Sequence, residues 1–407
     1  MLITLIPLFD ENLKVSAYSL FAQKNNYFLQ PSLLGTGQND GAARIAGLEL
    51  IEAMGIETLS AENVFVSVGN ISIFSDVAGQ CSAPHNQIIL LIDNTIPPVE
   101  MYLNRIVELK KDGYRFAIRN LPPSDYEKSA PLLELMDYIL IDTQKADIAS
   151  ARMHFSNAHP SLKLIASNIR TMEDFEAIKG SIRCALFEGS FYRLPITKGS
   201  TDTAPLKINY IELMNQVNDE DYDLTKAADI ISRDTSLVIL LLQMVNKMTL
   251  RSEITSVRHA AAMLGQKELR RWINTALINE LCSDKPSEVT RLSLLRAKFA
   301  ENLAPSFEAA GKASEAFLMG LFSVLDIILE RPLEDAMHMV KVSLEIENAL
   351  LHHKGPLGEI LTFVLQYETA NWPEISRQMV LKGISMNTVY EAYVNSLRWY
   401  RDLISIK

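Results

Sequence analysis

Long hydrophobic runs are absent from this 407-residue chain, and the longest, Leu237–Leu242, ends at Gln243. A membrane-spanning helix needs roughly 20 predominantly apolar residues in succession, so no span is expected. The segment Met1–Asp10 lacks the basic start and small-residue cleavage site of a secretory signal peptide, and we interpret it as a buried strand. We therefore expect a cytoplasmic protein without a membrane partner.

Cysteine and positive charge are both scarce. The three cysteines, Cys81, Cys184 and Cys282, lie far apart without the paired spacing of a metal site, which favours free thiols in a reducing compartment. The chain has 39 lysines and arginines against 49 acidic residues, giving a formal net charge of −10. Because nucleic-acid binding depends on clustered basic side chains, a general nucleic-acid-binding protein is not expected.

Motifs of several enzyme classes are also missing. The Gly-x-Ser-x-Gly elbow of serine hydrolases does not occur. The stretch Gly35–Gly41 has neither the spacing of a dinucleotide fingerprint nor the Lys-Ser/Thr of a phosphate-binding loop, and we interpret it as a polar loop. We therefore predict no cofactor.

Apolar runs alternate with helical patterns in the first half of the chain. Strands are predicted at Leu2–Leu8, Lys14–Phe21, Val64–Val68, Ile88–Ile92, Arg115–Ile118, Tyr138–Asp142, Leu162–Ala166 and Cys184–Phe187. Strand–helix alternation is typical of parallel pairing with right-handed crossovers, and eight such strands favour a closed TIM-like α/β barrel. Because such barrels usually take about 250 residues, some helices of this shorter segment are expected to be reduced or missing.

The pattern changes after Arg193. Two prolines, a glycine and several serines and threonines between Arg193 and Lys207 indicate a linker, and helical periodicity follows from Ile208 to Leu403. We predict a barrel domain at residues 1–195, a linker at 196–206 and an all-α domain at 207–407.

Five segments of the first half resemble the EAL-type cyclic-di-GMP phosphodiesterases. They are, in chain order, Pro7–Phe21, Leu109–Ile118, Met136–Asp142, Lys163–Thr171 and Leu186–Pro195. The resemblance implies a reduced EAL-type barrel. In this family, carboxylate and amide oxygens hold divalent metals that activate water.

The residues of that chemistry are missing here. By the resemblance, the metal-ligand positions hold Ser67, Leu91, Arg119, Asn120 and Ser167, and the positions of the signature glutamate, nucleotide-gripping arginine, lysine and final glutamine hold Ser19, Gln23, Leu140 and Glu188. Leucine cannot coordinate a metal, and an arginine places positive charge where cations would sit. Asp142 is kept, but one carboxylate does not hold two metals. We therefore expect no metal, no catalytic residues and no phosphodiesterase activity.

Five segments of the second half resemble the HDOD domain, a relative of HD-type phosphohydrolases without their metal site. They are Leu213–Asn218, Ala228–Leu237, Leu241–Asn246, Ile254–Arg258 and Ala262–Gly265. An HD hydrolase needs a His-Asp pair, and the sequence contains no His-Asp dipeptide. This half is therefore also interpreted as non-catalytic.

Four residues of the HDOD-like segments are singled out, with folding as their first expected role and partner binding as the alternative. Asp234 and Ser256 are predicted to cap the N-termini of the helices that follow them. Gly265 suits a helix C-terminus that needs a left-handed residue, and Asn246 belongs to the same motif.

The order barrel, linker, HDOD resembles bacterial two-domain EAL–HDOD signalling proteins. The resemblance implies a non-catalytic adaptor that contacts other signalling proteins in motility, biofilm or phosphorelay control, and a homodimer is plausible. The alternative is a sensor that binds cyclic-di-GMP or another nucleotide without cleaving it, with Arg119 as a phosphate contact. Gln23 and Arg119 argue against the family's usual nucleotide pose, so cyclic-di-GMP is not the expected ligand. A residual enzyme ranks last.

Overall fold

The computed structural model describes residues 1–23, 26, 28, 45–59, 63–193, 205–219, 221–232, 234–248 and 254–404. The chain divides into two compact units: Met1–Leu194 with Leu365–Val394, and Pro195–Val364 with Asn395–Lys407. The stretch 35–41 and most of the predicted linker, 196–204, lie outside the described residues. No helix in the described part of the chain has the length and apolar character needed to cross a membrane.

Eight strands close a barrel in chain order, which confirms the predicted fold class. They are β1 Leu2–Phe9, β2 Val15–Gln23, β3 Asn63–Ser67, β4 Ile88–Asp93, β5 Arg115–Arg119, β6 Tyr138–Asp142, β7 Lys163–Ile169 and β8 Leu186–Gly189. The pairs from β2 to β8 are parallel, whereas β1 is antiparallel to both of its neighbours. The tight turn between β1 and β2, with Leu13 at a φ of 61°, explains this reversal, because strands joined by a hairpin pair antiparallel.

Helices of unequal length accompany the barrel strands. Those described before residue 194 are α1 Ala46–Met54, α2 Ile56–Leu59, α3 Glu100–Lys111, α4 Ala130–Leu133, α5 Ile148–Ala158 and α6 Met172–Ser181. Only short 3-10 turns lie between β3 and β4 in this part of the chain, and α4 is a single turn. The predicted shortage of helices is therefore confirmed.

From residue 205 onward the described chain is helical, as predicted. The helices are α7 Pro205–Val217, α8 Leu224–Ile231, α9 Thr235–Met248, α10 Val257–Leu281, α11 Ser287–Leu303, α12 Ala313–Phe322, α13 Leu325–Leu329, α14 Leu333–Met337, α15 Leu344–His352, α16 Gly355–Glu368, α17 Trp372–Lys382 and α18 Met386–Ile404. Helix α7 begins at Pro205, so its first turn includes the last two residues of the predicted linker.

Apolar side chains fill the centre of the barrel. The cluster consists of Leu8, Ala17, Phe65, Ile89, Leu91, Ala117, Tyr138, Leu140 and Ile165. Successive side chains of a strand point to opposite faces, so these residues mark the inward positions of their strands. The rings of Phe65 and Tyr138 meet edge to face, with centroids 5.7 Å apart. The barrel interior is thus a packed core.

The pairing between β1 and β8 that closes the barrel is short, and residues from the C-terminal part of the chain bind the rest of this edge of β1. The two strands pair at Leu8 with Glu188 and at Phe9 with Phe187. Further along β1, the backbone amide of Ile3 donates to the hydroxyl of Tyr367, and that of Leu5 donates to the hydroxyl of Tyr393. Tyrosine hydroxyls therefore accept the hydrogen bonds of edge amides that would otherwise pair with a neighbouring strand.

These contacts explain why Leu365–Val394 groups with the barrel. The sequence prediction assigned that segment to the all-α domain at residues 207–407, because its periodicity is helical. Its helices are observed, but packing joins them to the barrel unit. The limits 1–195, 196–206 and 207–407 stay a prediction of where the sequence modules begin and end.

Candidate functional site

Polar residues line one end of the barrel, at the carboxyl ends of the parallel strands, where barrel enzymes place their chemistry. Inward positions alternate along each strand, so in the parallel strands the residue two places beyond the last core position reaches this end. Five predicted site residues do so: Ser19, Ser67, Arg119, Ser167 and Glu188. We call this end of the barrel, with these residues, the barrel mouth.

Arg119 reaches across the barrel mouth. Its side chain leaves β5, yet the guanidinium carbon lies 4.7 Å from the ring centroid of Phe21 on β2, and β3 and β4 stand between these two strands. This geometry is a cation–π contact. The Nε atom of Arg119 is buried and makes no hydrogen bond to any described residue. A permanent positive charge therefore occupies the mouth.

Glu188 and Ser19 are buried polar groups at the mouth. Glu188 is 8% exposed and Ser19 is 0% exposed. Burial raises the pKa of Glu188; the charge of Arg119 opposes this rise and that of Asp142 adds to it. Neither Oε2 of Glu188 nor Oγ of Ser19 has a hydrogen-bond partner among the described residues. With Nε of Arg119, three buried polar atoms at the mouth are thus unpaired.

Asp142, the acid that the sequence resemblance matches to the family pattern, is held by its neighbours. Its Oδ1 accepts hydrogen bonds from the Asn168 side chain at 3.0 Å and the Gln144 amide at 3.0 Å, and Lys145 lies 3.3 Å from its Oδ2. Partial burial opposes ionisation, but these hydrogen bonds and the Lys145 charge outweigh it and lower the pKa of Asp142. Asn168 has a φ of 59°, a left-handed conformation that asparagine tolerates better than most residues. Asp142 is therefore a charged group whose hydrogen bonds and ion pair are all made with residues close to it.

The remaining predicted positions do not fit a pair of divalent metals. Leu91 and Leu140 lie in the apolar core, and Asn120, at a φ of 56°, is exposed beyond β5. Hard cations need several oxygen ligands, which these side chains do not supply. Among the described residues, no three His, Cys, Asp or Glu side chains are grouped as a metal site. That the named positions are the remnants of a former site stays a prediction.

Gln23 is engaged by the C-terminal segment of its own unit. Its Nε2 donates to Oγ of Ser376 in α17 at 3.1 Å, and Nδ2 of Asn26 donates to the carbonyl oxygen of the same serine at 3.2 Å. The position matched to the family's nucleotide-gripping arginine is therefore buried against a helix. Sequence reasoning missed this contact, because the partners are 353 residues apart and share no motif.

The four HDOD-like residues have local roles in the helical unit. Oδ1 of Asp234 accepts a hydrogen bond from the Leu237 amide at 3.1 Å, which confirms the predicted N-cap. The side chain of Asn246 exchanges two hydrogen bonds with the backbone of Ile254, at 2.9 and 2.6 Å. Their further role in partner binding stays a prediction.

Two of the predicted helix signals differ from expectation. Ser256 occupies the N-cap position of α10, but its side chain makes no capping hydrogen bond, so that part of the prediction is wrong. Gly265 interrupts α10 with φ 74° and ψ 166°. The predicted break and positive φ are confirmed, but the ψ is extended rather than left-handed helical, a conformation open essentially to glycine alone.

Comparison with known proteins gives one family match and two relatives. Residues 204–353 match the HDOD domain. The chain is 26% identical to the uncharacterized protein YuxH of Bacillus subtilis over 412 residues, which covers 98% of each chain. It is also 26% identical over 326 residues to the cyclic di-GMP phosphodiesterase CdgJ of Vibrio cholerae, which covers 79% of this chain and 74% of the relative.

Solved structures of EAL proteins are similar to about half of the chain. An EAL domain protein from Listeria monocytogenes aligns with a TM-score of 0.37 and 14% identity, over 47% of this chain and 86% of that one. A standalone EAL protein from Vibrio cholerae, solved with cyclic-di-GMP bound, aligns with a TM-score of 0.36 and 15% identity, over 47% and 91%.

Proposed function

Because the chain has the two-domain EAL–HDOD architecture, we propose that it is a non-catalytic signalling protein that acts through contacts with other proteins. The observation that carries the proposal is Arg119. Its guanidinium lies across the barrel mouth, with Leu91 and Leu140 in the packed core at two other positions of the family's chemistry.

Electrostatics explains why this arrangement opposes metal-dependent hydrolysis. Two unit charges of the same sign 4 Å apart repel by about 4 kcal/mol at an effective dielectric constant of 20, and a divalent cation doubles that figure. An arginine cannot relieve the repulsion by losing its proton, because its pKa lies far above physiological pH. Without bound metals, water at the mouth is not activated as a nucleophile.

Two enzyme-type folds that have lost their catalytic residues still present surfaces that can bind other proteins. We infer that other signalling proteins are the partners, and that a homodimer is the simplest assembly. Roles in motility, biofilm or phosphorelay control follow from the family resemblance. The emptied barrel then serves as a rigid support for surface contacts.

A nucleotide sensor is the second candidate function. The three unpaired polar atoms of Ser19, Arg119 and Glu188 favour it, because buried polar groups normally have hydrogen-bond partners and a ligand would supply them. The relative CdgJ is named as a cyclic di-GMP phosphodiesterase, which makes this dinucleotide the first ligand to test. The contact between Gln23 and Ser376 argues against the family's usual pose.

Calorimetric titration with cyclic-di-GMP, with and without Mn²⁺, together with a hydrolysis assay, separates these functions. The adaptor predicts no heat and no cleavage. Saturable binding without cleavage that is lost in Arg119→Ala would support the sensor instead. Cleavage that is abolished by a chelator would overturn both.

Capture of partners tests the adaptor directly. The wild-type chain and the Arg119→Ala variant are each cross-linked in the native cell. Both are expected to capture the same partner protein, because the contact uses surfaces away from the mouth. A partner that is retained only when cyclic-di-GMP is added would contradict the adaptor and favour the sensor.

A further inference from the structure

A cavity of about 750 Å³ lies within the helical unit, far in sequence from the barrel mouth. The residues that follow α7, the middle of α10, the end of α11, the start of α12 and the residues around the start of α15 line it. Pockets for small organic molecules usually measure roughly 300–1,000 Å³ and combine an apolar wall with a few polar groups. Phe317, Leu318 and Ile346 provide an apolar wall here.

Two ion pairs of the lining are already complete. Nη1 of Arg271 donates to Oε1 of Glu301 at 2.9 Å, and its guanidinium lies 4.2 Å from the ring centroid of Phe317. Nζ of Lys341 lies 2.5 Å from Oδ2 of Asp219. The charges of Arg271 and Lys341 are therefore balanced by acidic neighbours, although Nη2 of Arg271 is buried without a hydrogen bond.

Arg270 is different, because its own partners are incomplete. Its Nη2 donates to the carbonyl oxygen of Asp219 at 3.3 Å, and its guanidinium carbon lies 4.9 Å from the ring centroid of Tyr222. Its Nε is buried and has no acceptor among the described residues, and the same holds for the hydroxyl of Tyr222, a residue that is 2% exposed. The stacked side chains of Arg270 and Tyr222 thus each have a buried donor without an acceptor, and Arg270 lines the cavity.

An arginine side chain can donate but cannot accept, so what is missing next to Arg270 is an acceptor oxygen. Charged acceptors form the stronger hydrogen bonds with guanidinium groups, and they are carboxylates and phosphates. Lys267, one helical turn before Arg270, adds another positive charge on the same helix.

The total charge of the lining limits the size of that anion. Four basic and five acidic side chains face the cavity, so a polyphosphate would meet no excess of positive charge. We propose that this cavity binds a small organic anion with one carboxylate or phosphate group, held by Arg270, and an apolar or planar body packed against the wall of Phe317, Leu318 and Ile346.

Benzoate, phenyl phosphate and the neutral amide benzamide are the probes, titrated into the full chain by calorimetry. Benzoate or phenyl phosphate is expected to bind about tenfold or more tightly than benzamide, because charge-assisted hydrogen bonds to arginine are the strong ones. Preference between the two anions distinguishes a carboxylate from a phosphate ligand. Inorganic phosphate that binds as tightly as phenyl phosphate would overturn the assignment of an organic ligand.

Two variants and one control locate the binding. Arg270→Gln is expected to weaken the preferred anion about tenfold. The control Arg258→Gln removes the same charge from a side chain of the same unit. That side chain is 74% exposed, and the variant should bind normally. Ser314→Trp fills the cavity while leaving Arg270 intact, and should abolish binding.

Three further results would overturn the proposal. They are the absence of binding by both anions at millimolar concentration, normal binding by Ser314→Trp, and weakening by Arg258→Gln as large as that by Arg270→Gln. If only Ser314→Trp weakens binding, a ligand occupies the cavity but Arg270 does not recognise it, and the assignment of an anion fails.

Discussion

The hydroxyl of Tyr367 accepts a hydrogen bond of 3.1 Å from the backbone amide of Ile3, 364 residues earlier in the chain. Tyr367 is 0% exposed, and its ring lies against those of Trp372 and Tyr393. Burial raises the pKa of its hydroxyl well above the usual value. A neutral phenol therefore occupies the edge of β1, where an unpaired strand edge would otherwise face solvent.

Tyr367→Phe is expected to destabilise the barrel unit. The substitution keeps the ring but leaves the buried amide of Ile3 without an acceptor, at a cost of about 1–3 kcal/mol. Urea unfolding followed by circular dichroism measures the loss. Tyr210→Phe, at a partly exposed tyrosine of α7, is the control and should change little. Equal stability of the two variants would contradict the role of Tyr367.

Glu188→Gln is expected to stabilise the protein above acidic pH. The pKa of Glu188 in the folded state is raised above its usual 4.5, chiefly by burial. A raised pKa favours folding while the group is protonated, and that contribution is lost as the pH rises through the folded-state pKa. A glutamine does not titrate, so the variant should gain on the wild type as the pH rises.

Free energies of unfolding measured between about pH 4 and about pH 8 test this sign. The difference between Glu188→Gln and the wild type should be smallest at the acid end. Glu134→Gln, at an exposed side chain, is the matched control and should follow the wild type throughout. A difference for Glu188→Gln that shrinks as the pH rises would show that the glutamate is stabilised as an anion.

Arg119→Met should destabilise the protein at neutral pH, because it removes the positive charge that opposes the rise in the pKa of Glu188. In the Glu188→Gln background, the loss should be smaller. A double-mutant cycle measures the coupling, and about 0.5–3 kcal/mol is expected for residues that interact directly. Additive effects would show that the two side chains do not sense each other.

The sequence was sufficient to predict the barrel, because apolar runs such as Ile88–Ile92 fill a parallel strand from end to end. It also located the N-cap at Asp234, since a capping side chain acts on its own helix. Ser256 shows the limit of such local rules. The residue type and position suit a cap, but the side chain makes no capping hydrogen bond.

The contacts at the barrel mouth could not be predicted in this way. Nothing in the sequence near Arg119 reveals that its side chain crosses to Phe21, because that depends on the closure of the barrel. The hydrogen bond from Gln23 to Ser376 joins two segments whose patterns describe only their own strand and helix. Contacts between residues far apart in the sequence leave no periodic pattern. The sequence therefore predicted which residues belong to the candidate site but not the contacts that they make.

Gly265→Ala is expected to destabilise the helical unit by about 1–3 kcal/mol, because a side chain at a φ of 74° and ψ of 166° is strained. No neighbouring atom lies within 4 Å of the added methyl group, so strain is the only cost. Gly180→Ala, also without a close neighbour but inside helix α6, is the control and should be neutral or slightly stabilising. Equal effects of the two substitutions would contradict the requirement for glycine at the break.

The barrel is expected not to fold stably without the segment 365–394. A fragment of residues 1–194 would expose the amides of Ile3 and Leu5 along β1, and strands with free edges associate with other chains. Its ion pair between Arg193 and Glu368 would also be missing. Size-exclusion chromatography should therefore show aggregates or oligomers of this fragment.

Joining residues 1–194 to residues 365–394 through a flexible glycine–serine linker should restore a compact monomeric species with cooperative unfolding. The same fusion with both Tyr367→Phe and Tyr393→Phe is the matched control, because it keeps the helices and rings but lacks both hydroxyl acceptors. It should unfold at lower urea concentration than the intact fusion. A fragment 1–194 that is monomeric and as stable as the fusion would instead support the sequence-based limit of the barrel at residue 195, with the C-terminal segment as an independent addition.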